Sequence, residues 1–262
     1  MPIISAFCKK GGVGKTTFVG YYAHYLATKG NNVLVVSIDD QNSIFKIFGE
    51  DDKIFDTTDN YLEFLMAGKQ DFSDILIEVR ENLYLIKTLN TDKLSTRLIL
   101  ERSQEKVIKK IFDTYNDAFD YVFIDFPPSS SRITEVLLDM SDTILIVVGL
   151  DSLGLGGFIN TIQYFIDNEL ELGKIKYVLP NLYVKNRRAP KKSIITLGKQ
   201  SQEFTPKSTL LPYFSEKSTV KNLQDKGLTP FDDVPLDRYD LKEKKKIEDE
   251  LLDIFNHIDL NK

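Results

Sequence analysis

The sequence predicts an α/β fold, a doubly wound and mostly parallel β-sheet with helices on both faces. Three observations predict it. Short apolar runs rich in β-branched residues alternate with stretches of helical periodicity, and parallel strands need such crossovers. The runs are apolar throughout rather than alternating, as strands covered on both faces are. The first run ends in a glycine cluster that opens directly onto a helix, and two later runs end in aspartate.

Pro2–Cys8 (PIISAFC) reads as the first buried strand, and Thr16–Lys29 as a helix closed by Gly30. Asn32–Asp39 (NVLVVSID) is the second strand, and Phe119–Ser129 (FDYVFIDFPPS) the third, halted by two prolines. Asp142–Gly149 and Lys174–Tyr183 are two more. Helical periodicity covers Lys93–Tyr115, Ile133–Met140, Leu155–Leu172 and Lys242–Ile258. No internal repeat or Pro/Gly/Ser linker interrupts the 262 residues, so one domain over 1–262 is expected, without an N-terminal DNA-binding extension.

Composition bounds the function class. Hydrophobic residues at 42% and charged residues at 28% are those of an ordinary globular chain. No apolar run has the length of a membrane span, and no signal-peptide pattern opens the chain, so a cytoplasmic location is expected. The single cysteine, Cys8, excludes a disulfide framework or a Cys-based metal cluster built within the chain, and reads as a packed core thiol. Net charge is −5, yet Leu172–Gln202 contains no acidic residue. Lys174, Lys176, Lys185, Arg187, Arg188, Lys191, Lys192 and Lys199 all fall inside it.

The glycine cluster lies in Lys9–Thr17, KKGGVGKTT. Glycines there let backbone N–H groups converge on phosphate oxygens, with the positive end of the next helix aimed at the anion. Lys10, Gly11, Gly12, Val13, Gly14, Lys15, Thr16 and Thr17 are the candidate nucleotide residues; Lys15 would contact the β/γ-phosphates and Thr16 would ligate Mg²⁺. Asp125, ending YVFID, is the second candidate Mg²⁺ residue. Asp39, ending VLVVSID, is placed to orient and deprotonate an attacking water.

KKGGVGKTT, VSIDDQNS and FDYVFIDFPPS resemble the deviant Walker A, A′ and B motifs of the ParA/MinD family of P-loop ATPases. The later segment LLPYFSEKSTVKNLQDKGLTPF is similar to the proline-containing strand end and helix of ParA proteins, and the chain is most like the small ParA subtype. The resemblance implies a P-loop NTPase fold, ATP and Mg²⁺ as cofactors, and a homodimer formed on ATP binding. It gives Lys10 the signature role of reaching the partner subunit's nucleotide, beside the catalytic pair Lys15 and Asp39. It also places Asn181 and the Pro212 loop around the base. The A′ motif departs from the usual D-x-D-P-Q, because Ser37 and Asp40 stand where the family has aspartate and proline. Lys9 sits where relatives often carry a small or amide residue, and a solvated side chain is at least as good a reading of it as a role at the phosphates.

Three functions fit such a switch. A DNA partition ATPase would bind DNA non-specifically through Arg187, Arg188, Lys191 and Lys192, with Lys217 and Lys221 adding to them. The resemblance then implies a nucleoid-associated protein reset by a ParB-type centromere-binding partner that stimulates hydrolysis. A MinD-like membrane ATPase needs a basic amphipathic C-terminal helix. The last helical stretch instead mixes Lys242, Lys244, Lys245 and Lys246 with Glu248, Asp249, Glu250, Asp253 and Asp259, so it is expected to dock on the sheet, with no stable membrane association. A metabolic synthetase resembling dethiobiotin synthetase would not need Lys10, and no second substrate constellation is visible.

Overall fold

The computed structural model describes residues 2–55, 61–69, 71–151, 153–185, 188–235 and 238–260. Its strands are β1 (Ile3–Phe7), β2 (Val33–Ser37), β3 (Ile77–Arg80), β4 (Leu83–Ile86), β5 (Tyr121–Asp125), β6 (Thr143–Gly149), β7 (Ile175–Asn181) and β8 (Thr209–Leu210). They form one eight-stranded sheet in the order β3-β4-β2-β5-β1-β6-β7-β8. Every pairing is parallel except the β3–β4 hairpin at one edge. The expected fold class holds.

The helices are α1 (Lys15–Thr28), α2 (Ile44–Ile47), α3 (Asp51–Phe55), α4 (Leu62–Met66), α5 (Thr91–Leu100), α6 (Ser103–Ala118), α7 (Arg132–Met140), α8 (Gly154–Asp167), α9 (Arg188–Phe204), α10 (Ser218–Asp225) and α11 (Arg238–Phe255). All residues of β1, β2 and β6 are buried, as strands covered on both faces must be. Asp125 lies opposite both Ala6 and Ser37, so β1, β2 and β5 end at one level. From β1 the chain crosses to β2 on one side, and from β5 it crosses past β1 to β6 on the other. That reversal opens the crevice where doubly wound sheets bind ligands.

Several expectations change. The periodicity over Lys93–Tyr115 belongs to two helices, broken at Glu101–Arg102 so that α5 packs on α7 and α6 on β5. The β3–β4 hairpin was not legible as strands; its turn rests on Asn82 at φ 61°. The acid-free stretch does not form one basic patch. Lys174 precedes β7 and Lys176 lies at its start, at the opposite end of that strand from Asn181, and Lys174 pairs with Asp139 at 3.8 Å. The C-terminal helix α11 packs against α1 as part of the common core, and Tyr177 of β7 donates to Asp259 O just beyond it at 3.0 Å. Phe255 meets Tyr22 at 4.3 Å, Tyr25 at 5.1 Å and Phe18 at 5.9 Å between ring centroids. Among the described residues no helix is long and apolar enough to cross a membrane.

Candidate nucleotide site

The loop between β1 and α1 is shaped by Gly12 and Gly14, whose φ values of 71° and 91° lie in the left-handed region that favours glycine. Gly14 has a second constraint, since a Cβ there would collide with the Asn181 amide. That amide donates to Val13 O at 2.7 Å, while its oxygen accepts from Leu182 N at 2.8 Å. Asn181, buried at the end of β7, therefore braces the loop from behind.

Lys15 is buried and donates to Lys10 O at 3.2 Å. Burial pushes its ammonium below the usual lysine range, while Cys8, Asp125 and Asp39 favour the charged form. Thr16 Oγ1 donates to Asp125 Oδ1 at 3.1 Å. Asp125 is completely buried, and its Oδ2 has no hydrogen-bond partner among the described residues. Burial raises its pKa to about 7 against the opposing pull of Thr16 and Lys15, with Asp39 adding to the rise. A buried carboxylate with a free oxygen beside a threonine hydroxyl fits a hydrated Mg²⁺, which such a donor set holds through few protein ligands.

Asp39 is half-buried, with Oδ1 accepting from Gln41 N at 3.0 Å. Both departures from the A′ pattern have local work. The buried Ser37 hydroxyl donates to Asp39 O at 3.3 Å, inside the turn that presents the carboxylate. Asp40 Oδ1 accepts from Thr91 N at 2.7 Å, the first N–H of α5. Asn42, at φ 45°, donates to Thr88 O at 2.9 Å and fastens the far side of the loop.

Helix α8 holds the two additional lysines. Lys10 Nζ donates to both oxygens of Asp151, at 2.7 and 3.0 Å, and its stem passes over Gly157, where a Cβ would lie 2.8 Å from Lys10 Cβ. Asp151 also accepts from Leu153 N and Gly154 N at the start of α8. Its Lys10 partner is the chief reason its pKa lies below the usual carboxylate range. Lys9 is not simply solvated. Its N–H donates to Thr161 Oγ1 at 3.0 Å, its ammonium sits 4.8 Å from the Tyr164 ring centroid, and Nζ donates to Ser130 Oγ at 2.6 Å. These α8 partners escaped sequence reasoning; the glycines 154, 156 and 157, opening a helix after an apolar strand, were the available signal.

A cavity of about 490 Å³ adjoins the loop, within the range of small-molecule sites. Gly14, Thr16 and Asn181 line one side, with Ser43, Lys46 and Ile47 on another and Phe214, Val220 and Gln224 completing it. Gln224 donates to Thr17 Oγ1 at 3.0 Å. Pro212 is half-buried and lies outside this lining, which Phe214 and Ser215 of the same loop join. Lys217 and Lys221 also line the cavity, and Lys217 pairs with Glu250 at 2.8 Å. Both are thus placed beside the nucleotide site rather than on α9. Arg188, Lys191 and Lys192 are exposed on the first turns of α9, and Lys199 is exposed further along it. Arg187 lies outside the described residues.

The comparisons with known proteins bear on the family and the fold. A family model described as an AAA domain (AAA_31) matches residues 1–173. The chromosome-partitioning ATPase Soj of Treponema pallidum is 26% identical over 198 residues, covering 72% of this chain and 75% of its own. The maintenance of carboxysome distribution protein A of Synechococcus elongatus is 26% identical over 223 residues, covering 84% and 87%. A solved plasmid partition protein of Borrelia burgdorferi bound to AMPPNP shares the fold at a TM-score of 0.71 and 22% identity, with 96% of this chain and 98% of that one covered. These likenesses bear out the resemblance to the ParA/MinD family. With residues 1–173 of 262 matched, and the phosphate loop, A′ loop and buried aspartate converging inside them, the chain belongs to the AAA domain family AAA_31, with Soj-type partition ATPases among its relatives.

Proposed function

We propose that this protein is an ATP-hydrolysing switch of the partition and positioning type. Two ATP-bound subunits would close face to face, bind DNA without sequence preference, and separate after partner-stimulated hydrolysis. The observation that carries this reading is the pair of lysines with separate environments in one loop. Lys15 is buried beside Thr16 and Asp125, whereas Lys10 stands at the loop's outer edge against Asp151, which is 60% exposed. A plain ATPase needs only the first. A second cation at the rim is suited to a phosphate that arrives with another subunit.

Thr16 and Asp125 would hold Mg²⁺, which supplies charge neutralisation on the β/γ-phosphates when bound. Lys15 would bind the same phosphates, with Gly12, Val13 and Gly14 supplying backbone donors. Asp39 would orient a water and accept its proton. The cavity beside Asn181 and Phe214 would take the adenosine. Arg188, Lys191 and Lys192, with Arg187 beside them in sequence, would neutralise DNA phosphates. A ParB-type protein is the expected stimulating partner, and the carboxysome-distribution relative makes a protein assembly the second cargo class. Against a membrane-anchored switch stands α11, whose Ile247, Leu251, Ile254 and Phe255 are already buried.

Co-sedimentation with plasmid DNA and with anionic liposomes, with and without ATP, separates these readings. DNA capture that requires ATP and weakens steeply with salt is expected. Liposome capture without DNA capture would sink the partition reading. An Asp39→Ala variant should bind ATP normally and lose hydrolysis by about 100-fold or more; wild-type turnover in it would remove Asp39 from the mechanism.

A further inference from the structure

Lys9 has no assigned part in ATP hydrolysis, and a role for it here rests on the ATPase reading of the site. Its environment is built on three sides. Thr161 and Tyr164, one turn apart on α8, take its backbone N–H and the apolar side of its ammonium. The third side is Ser130, in the segment Phe126–Ser131 that links Asp125 to α7. The same segment touches the phosphate loop again at Pro128, whose Cγ lies 3.5 Å from where a Gly11 Cβ would stand. Ser130 and Pro128 are otherwise exposed, and the segment has no regular secondary structure.

We propose that Lys9 is a positioning residue that couples the phosphate loop and α8 to the segment following Asp125, with Ser130 as its contact. Asp125 is held at its own position by the β-sheet ladder and Phe126 packs against Phe7, whereas Pro128, Ser129 and Ser130 are exposed. Lys9 ties this exposed part of the segment to the phosphate loop through Ser130. A change in that loop on nucleotide binding therefore moves the post-Asp125 segment with it. The ammonium matters for its reach and its donor, not for charge on the nucleotide.

The test uses the full chain with Lys9→Met, Ser130→Ala, the double variant and Lys9→Arg. Amide hydrogen exchange without nucleotide at Phe126, Ser129, Ser130 and Ser131, the residues of the segment that carry an amide proton, reads the tether. Exchange should accelerate about five- to tenfold in Lys9→Met and in Ser130→Ala, no further in the double variant, and only partly in Lys9→Arg. Under the ATPase reading, kcat should fall by a similar factor while the Kd for a fluorescent non-hydrolysable ATP analogue stays within about twofold and Tm within a few degrees. Unchanged exchange in Lys9→Met, or single effects that add in the double variant, would overturn the coupling. A wild-type chain that binds no ATP analogue would defeat the ATPase reading instead, leaving the exchange result to decide the tether.

Discussion

Asn181 shows how much of a site rests on one side chain that carries no charge. Its amide braces Val13 O, and its bulk occupies the space a Gly14 Cβ would need. Asn181→Ala removes a buried hydrogen bond and opens space behind the loop, so ATP-analogue affinity should weaken by about five- to twentyfold, measured by fluorescence titration. Asn181→Asp is the sharper variant. It keeps the size but replaces the donor by an acceptor facing Val13 O, and it should lose more affinity than the alanine; equal losses would show that packing alone matters. Asp39 and Asp125 were legible in the sequence because each ends an apolar run that only a strand explains. The bracing role of Asn181 was not, because its partner lies 168 residues away and a strand-end asparagine has many ordinary uses. The same holds for Asp40, which looks like a damaged motif in sequence and caps α5 in space. Asp40→Ala should cost about 1 kcal/mol of stability by denaturant unfolding.

The helices and strands were legible where burial was complete and periodicity long, and illegible where a neighbour set the boundary. β1, β2, β5, β6 and β7 fall within the apolar runs that suggested them. The β3–β4 hairpin consists of four-residue strands at a sheet edge, too short for a period to stand out. Helix α1 illustrates tertiary control of a different kind. His24 on its buried face shares a 2.6 Å hydrogen bond with Thr229, whose N–H donates to Asp232 at 2.7 Å; Asp232 is gripped by Arg80 of β3 at 2.6 Å. Burial lowers the His24 pKa to about 4, with Asp232 opposing and Arg80 and Lys244 reinforcing the shift. A histidine depressed in the folded state binds protons better when unfolded. Its contribution is therefore complete above its unfolded value near 6.5 and drains as pH falls toward 4. The stability advantage of wild type over His24→Gln should shrink by about 2 kcal/mol between roughly pH 7 and 5 in denaturant unfolding. A pH-independent difference would show that His24 titrates normally and that the α1–loop contact is looser than the structure has it.

At the scale of the molecule, the sheet order brings the loop, the A′ turn and Asp125 to one end. The remaining question there is how one subunit's site becomes two. Lys10 is held in cis by Asp151, so under the proposed dimer this ion pair must break before Lys10 can reach a neighbouring nucleotide. No sequence pattern revealed the contest, because 141 positions separate the two residues. Asp151 is 60% exposed, and such pairs are weak, which suits a contact meant to be exchanged. The pair should therefore tune dimerisation rather than govern it. Asp151→Asn keeps the helix-capping oxygen for Leu153 and Gly154 while removing the charge. With a non-hydrolysable ATP analogue it should tighten the dimer by about two- to fivefold in sedimentation velocity, the inverse of losing an exposed ion pair. Lys10→Ala should abolish that dimer while leaving analogue binding to the monomer intact. If Lys10→Ala dimerised normally, the trans role would fail. If Asp151→Asn weakened the dimer instead, Asp151 would belong to the interface itself, and the cis pair would be part of the assembled state.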